Sequence, residues 1–113
     1  MTTSFWKIWI TAKSEEKALR VFEGALARMD CRAQNIITEP YPKINGFVIC
    51  FEIELVSEDW NDRVVEVAAK GQRVATGWML CGDIEQDGSG WSNEVRVPGA
   101  VSMEWWLGVR TPS

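Results

Sequence analysis

Apolar and polar positions alternate at the start of the chain. Trp6, Ile8, Ile10 and Ala12 fall on one side, and Phe5, Lys7, Trp9 and Thr11 on the other. A period of two, carried by aromatic and β-branched residues, predicts a strand over residues 5–11. The period then changes. Ser14 precedes Glu15 and Glu16, a helix N-cap followed by acids that favour the positive end of the helix dipole. Ala18, Leu19, Phe22, Ala25, Leu26 and Met29 recur at helical spacing and predict one apolar stripe. Gly24 lies within this helix, where close packing on a sheet would give it a use. Residues 31–38 predict a second strand, stopped at Pro40-Tyr41-Pro42 because proline donates no ladder hydrogen bond. Asn45-Gly46 predicts a turn. Phe47, Ile49, Phe51, Ile53 and Leu55 then alternate with Val48, Cys50, Glu52 and Glu54, the clearest strand in the chain.

Ser57-Glu58-Asp59 opens a second helix that runs to residue 70, with Trp60, Val64, Val67, Ala68 and Gly71 inward. Residues 78–85 predict a strand, 86–90 a hairpin turn that includes Gly88-Ser89-Gly90, and 91–97 another strand. Val97-Pro98-Gly99-Ala100 fits a type II turn, with Pro and Gly in the central positions. Residues 101–109 close the chain as a strand, with Val101, Met103, Trp105 and Leu107 on one face.

The element order β-α-β-β-α-β, followed by further strands, resembles the ferredoxin-like split β-α-β arrangement. That resemblance implies a single α+β domain over residues 1–113. It would be a two-layer sandwich with an antiparallel sheet, two helices on one face, and a C-terminal β-hairpin extension. An α+β sandwich with the C-terminal strands in a separate small sheet is the alternative. The helix-covered face then takes Trp6, Ile8, Ile10, Ile49, Phe51, Ile53, Leu80 and Ile84. The opposite face takes Lys7, Trp9, Cys50, Glu52, Glu54, Cys81, Asp83 and Glu85.

Composition narrows the chemistry. With 113 residues, 46% hydrophobic and 25% charged, the chain fits one globular domain. No apolar run approaches the roughly 20 residues that span a bilayer, so no membrane association is expected. The N-terminus lacks a basic segment followed by an apolar one, which makes a cytoplasmic location the expectation. Cys31, Cys50 and Cys81 are an odd, widely spaced set in strand-like segments, expected to be free thiols buried as small hydrophobes. The sequence has no histidine, which removes Ser-His-Asp and Cys-His systems and His-based zinc sites. No phosphate-binding glycine motif occurs, so neither a cofactor nor a metal is expected. Carboxylate chemistry survives on residue type, but no pair of acids stands out among the 16 present.

Charge and tryptophan point elsewhere. Residues 1–50 carry seven Lys and Arg against five acids, whereas residues 51–113 carry five against eleven. Seven tryptophans are several times the usual share of about 1%. Trp6, Trp78 and Trp105 lie on apolar faces and are expected in the core, and Trp60 in the helical stripe. Trp9, Trp91 and Trp106 are harder to bury. Exposed aromatics supply contact area, and carboxylates without basic neighbours steer an oppositely charged partner. The expected function is a small acidic protein-binding domain, an inhibitor or immunity protein neutralising a basic partner such as a toxin nuclease. A nuclease cleft is basic because its substrate is anionic. The expected partner-binding residues are Trp9, Glu52, Glu54, Glu58, Asp59, Asp62, Asp83, Glu85, Asp87 and Trp91. Nucleic acid is not an expected partner, because the outward side of residues 47–54 is acidic and would repel phosphate. The alternatives are a small carboxylate-dependent enzyme and a ligand-sensing regulatory domain.

Overall fold

The computed structural model describes residues 2–83 and 87–108. Ile84, Glu85 and the end of the last expected strand lie outside the described residues. The elements run β1 (Thr3–Thr11), α1 (Glu15–Met29), β2 (Gln34–Tyr41), a short 3-10 turn (Pro42–Ile44) and β3 (Gly46–Glu54). They continue with α2 (Trp60–Gln72), β4 (Ala75–Thr76), β5 (Met79–Asp83), β6 (Asp87–Ser92), β7 (Glu94–Val95) and β8 (Ala100–Gly108). Among the described residues, six strands form one antiparallel sheet in the order β2-β3-β1-β8-β6-β5, and β4 pairs with β7 in a separate ribbon. The fold is therefore α+β, with both helices packed on one face of the sheet.

The helix starts are local chemistry. Ser14 Oγ accepts the Lys17 N–H at 3.2 Å, and Asp59 caps α2 by accepting the Asn61 N–H at 3.1 Å. α1 buries Ala18, Phe22, Ala25 and Met29; α2 buries Val67 and Gly71. These side chains close over Trp6, Ile8 and Ile10 of β1, Ile49, Phe51 and Ile53 of β3, and Met103, Trp105 and Leu107 of β8. Phe51 is the aromatic centre of this core. Its ring stacks on Trp6 at 6.1 Å between centroids and meets the Phe22 ring at 4.8 Å. Ser4, also buried, donates to the Ile53 carbonyl at 2.9 Å and accepts the Trp6 indole N–H at 2.8 Å.

The sheet order departs from the expected one. The strand beside β1 is β8, the C-terminal one, and the segment expected there, β5, lies at the far edge beyond β6. The physical reason is the length of the apolar face. β8 offers nine residues with Met103, Trp105 and Leu107 in alternation, whereas β5 offers five with one leucine on that side. Leu80, expected in the core, is consequently 61% exposed, because α2 does not reach over the edge strand. Trp78 is half-buried, its ring edge-on to Trp6 at 6.5 Å.

Smaller differences have local causes. Cys31 follows α1 in a connection rather than in a strand, after Asp30 ends the helix in the left-handed conformation (φ 53°). Cys31 and Cys50 are partly buried and Cys81 is exposed; all three are free thiols. β2 runs through Pro40 to Tyr41, which an edge strand tolerates. Gly88, Ser89 and Gly90 belong to β6 rather than to a turn. Gly24 faces open space, with no atom within 4 Å of where a Cβ would stand. Val101 is exposed as the extra residue of a bulge, because the register with β1 shifts between Trp9 and Ile10. The turn after Val97 forms as expected: Ala100 N–H donates to the Val97 carbonyl at 3.0 Å, and Gly99 adopts the positive φ (94°) that its third position requires.

Candidate functional site

The second face of the sheet carries no helix. Residues directly opposite in an antiparallel pair project to the same side, so the register defines rows of side chains across this face. One row runs Glu52, Phe5, Trp106, Ser89, Cys81. The next runs Ile37, Cys50, Lys7, Glu104, Trp91, Met79. A third runs Glu39, Val48, Trp9, Ser102, and beside it Tyr41 of the edge strand meets the Trp9 ring edge-on at 6.4 Å. Phe5, Trp9, Tyr41, Trp91 and Trp106 thus share one surface. Ile37 and Met79, both more than half exposed, extend it to the two edges.

Carboxylates are interleaved with these rings. Glu39, Glu52, Glu54, Glu104 and Asp87 lie on the face by register, against one cation, Lys7, among the described residues. None of the four glutamates has a Lys or Arg nitrogen within 4 Å among the described residues. Glu52 accepts the Asn35 Nδ2–H at 3.0 Å, a bond made possible where β2 bulges and Asn35 turns to φ 52°. The Lys7 ammonium sits over the Trp106 ring, 5.3 Å from its centroid, a cation–π contact. Partial burial pushes the Glu104 carboxyl above its ordinary range, and Lys7 offsets only part of that shift. Burial likewise pushes the Cys50 thiol up, so this cysteine is no ready nucleophile. A hollow of about 220 Å³ opens between β1, β2 and β3, with Phe5, Ile37 and Cys50 as its apolar wall and Glu52 at its rim.

The structure divides the expected site between two layers. Trp9, Glu52, Glu54, Asp87 and Trp91 lie on the helix-free face. Asp83 pairs in register with Asp87 at the far end of the β5–β6 hairpin, and Glu85 lies outside the described residues. Glu58, Asp59 and Asp62 are elsewhere, at the N-terminus of α2 in the helical layer, where Asp59 caps the helix and Asp62 occupies its first turn. Glu66, in the same acidic run, clamps the loop before α2. Its carboxylate accepts the N–H groups of Val56 at 3.1 Å and Ser57 at 3.0 Å. Partial burial raises its pKa, and these bonds outweigh that effect, so the net shift is downward. Sequence reasoning missed Ile37, Tyr41, Met79, Glu104 and Trp106 as members of the open face. Trp106 and Glu104 carried a signal in their alternation with Met103, Trp105 and Leu107; the others depend on edge-strand register.

Comparison with protein-family models, with curated proteins and with solved structures finds no match for this chain. No helix among the described residues is long and apolar enough to cross a membrane.

Proposed function

We propose that this chain is a protein-binding domain that docks a basic partner on the helix-free face of its sheet. Within that class we propose an inhibitor or immunity protein that neutralises a toxin, with a nuclease as the partner whose cleft has the required charge. The observation that carries this reading is the coincidence, on one uncovered face and among the described residues, of five aromatic rings with five carboxylates and a single cation, Lys7. A solvated sheet face needs no band of tryptophan. Five inter-strand gaps of about 4.8 Å and a mean strand length of roughly 26 Å give an area of about 600 Å². That is about three quarters of the roughly 800 Å² each partner contributes to a standard interface. Glu104 supports the same reading: its charge is held on the face at a desolvation cost, which an arriving cation would offset. We further propose that the sheet is a ferredoxin-like one in which β8 takes the place of the fourth strand and the β5–β6 hairpin is an extension; the neighbour order β2-β3-β1-β8 supports this.

The test compares capture from the native host by the parent chain and three folded variants. Trp9→Ala and Glu52→Lys alter the open face, and Arg20→Glu alters α1. A partner lost by the first two and kept by the third is then purified for binding kinetics at two salt concentrations. Glu52→Lys should slow association and weaken its salt dependence, and Trp9→Ala should speed dissociation, by about 2 kcal/mol or more if it is a hot spot. Partners captured equally by all four chains, or lost only with Arg20→Glu, would place the interface elsewhere.

A further inference from the structure

On the opposite side of the molecule, the overhang of β5 and β6 beyond α2 leaves a groove of about 480 Å³. This lies within the range of small-molecule sites. Its walls are Ala68 of α2, Trp78 and Leu80, and its floor is Trp105. Two polar groups distinguish it from an ordinary packing gap. Trp105 is 3% exposed, yet its indole N–H makes no hydrogen bond among the described residues, although Trp6 and Trp78 both find acceptors for theirs. No buried side-chain nitrogen or oxygen among the described residues lacks a partner, so this N–H keeps access to solvent and stands at the groove that Trp105 lines. Arg96 lines the same groove, and its guanidinium has no carboxylate within 4 Å among the described residues. Gly90 lets the Trp105 ring lie where it does: a Cβ there would stand 2.8 Å from the indole nitrogen.

A groove of mixed lining, with Gln72 and Thr76 beside its apolar walls, an idle N–H donor and an unneutralised guanidinium, suits one chemical class. We propose that this groove binds a small monocarboxylate with a flat aromatic or short aliphatic body. The body packs between Trp78 and Leu80, and the carboxylate accepts from Trp105 Nε1 and Arg96. The site is independent of the protein-docking face, which lies on the other side of the sheet. It would give the domain a ligand-responsive element.

The probe is 3-phenylpropionate, titrated into the ¹⁵N-labelled full chain, with 3-phenylpropionamide as the neutral control. The readout is the indole N–H signal of Trp105, assigned by its loss in Trp105→Phe. Carboxylate binding should move that signal downfield along a saturable curve. Arg96→Gln, an exposed change that leaves the fold intact, should weaken binding about tenfold or more, and the amide should bind weaker by a similar factor. Absence of a saturable shift in the parent would overturn the proposal. So would equal affinity of the parent and Arg96→Gln, or of acid and amide.

Discussion

Phe51→Ala tests the core on which both faces of the sheet depend. Phe51 is buried between α1 and the sheet, stacked on Trp6 at an interplanar angle of 18° and edge-on to Phe22 at 63°. Truncating a buried phenylalanine costs about 3–5 kcal/mol, from lost transfer energy and the cavity left behind. Aromatic pairs add about 0.5–1.5 kcal/mol each beyond area. Two such pairs place this variant toward the upper end, about 4–5 kcal/mol. Phe51→Leu keeps most of the volume and loses chiefly the ring pairs, so about 1–2 kcal/mol is expected. A domain of this length has a total stability of roughly 6–17 kcal/mol, so the alanine variant removes a large fraction of it. Urea denaturation of parent and variants, read as a shift in midpoint at constant slope, measures both values. A loss below about 1.5 kcal/mol for Phe51→Ala, or equal losses for Ala and Leu, would mean that the ring is not held as described.

Gly24→Ala should stabilise the protein by up to about 1 kcal/mol in the same assay, because the position is helical, solvent-facing and sterically open. Ser4→Ala should cost about 1–3 kcal/mol by leaving the buried Trp6 N–H without its acceptor, and adding Trp6→Phe should remove most of the coupling in a double-mutant cycle. The pH dependence of stability has two opposed contributions. Glu66 has a lowered folded pKa, so its stabilisation is present above the ordinary glutamate value of 4.5 and is lost as pH falls through the folded value. Glu66→Gln should therefore flatten the acid limb of a stability–pH profile. Glu104 has a raised folded pKa, so its ionisation costs stability once pH rises above 4.5, and Glu104→Gln should raise the thermal midpoint at pH 7 but not at pH 3.

Periodicity and end chemistry are local, and those parts of the fold were legible. The alternation around Trp6 and Phe51 predicted β1 and β3 with the correct faces inward, and Ser14 and the run Ser57-Glu58-Asp59 marked the helix starts. The same alternation exposed Trp9 and set Glu52 and Glu54 outward. Pairing between distant strands is a different kind of quantity. Whether β1 takes β5 or β8 as its neighbour depends on which segment covers more apolar area under α2, and no local pattern reports that comparison. Leu80 and Val101 look like core residues in sequence and are exposed because the edge overhang and a bulge remove them from the helical layer. The acidic run from Glu52 to Glu66 is continuous along the chain. The chain crosses from sheet to helix at Leu55, so its acids separate into a surface on one side and a cap and a loop clamp on the other. Residue types and their periods came from the sequence. Which carboxylates and rings stand together was decided only when the strands paired, because side chains far apart in the chain meet through register.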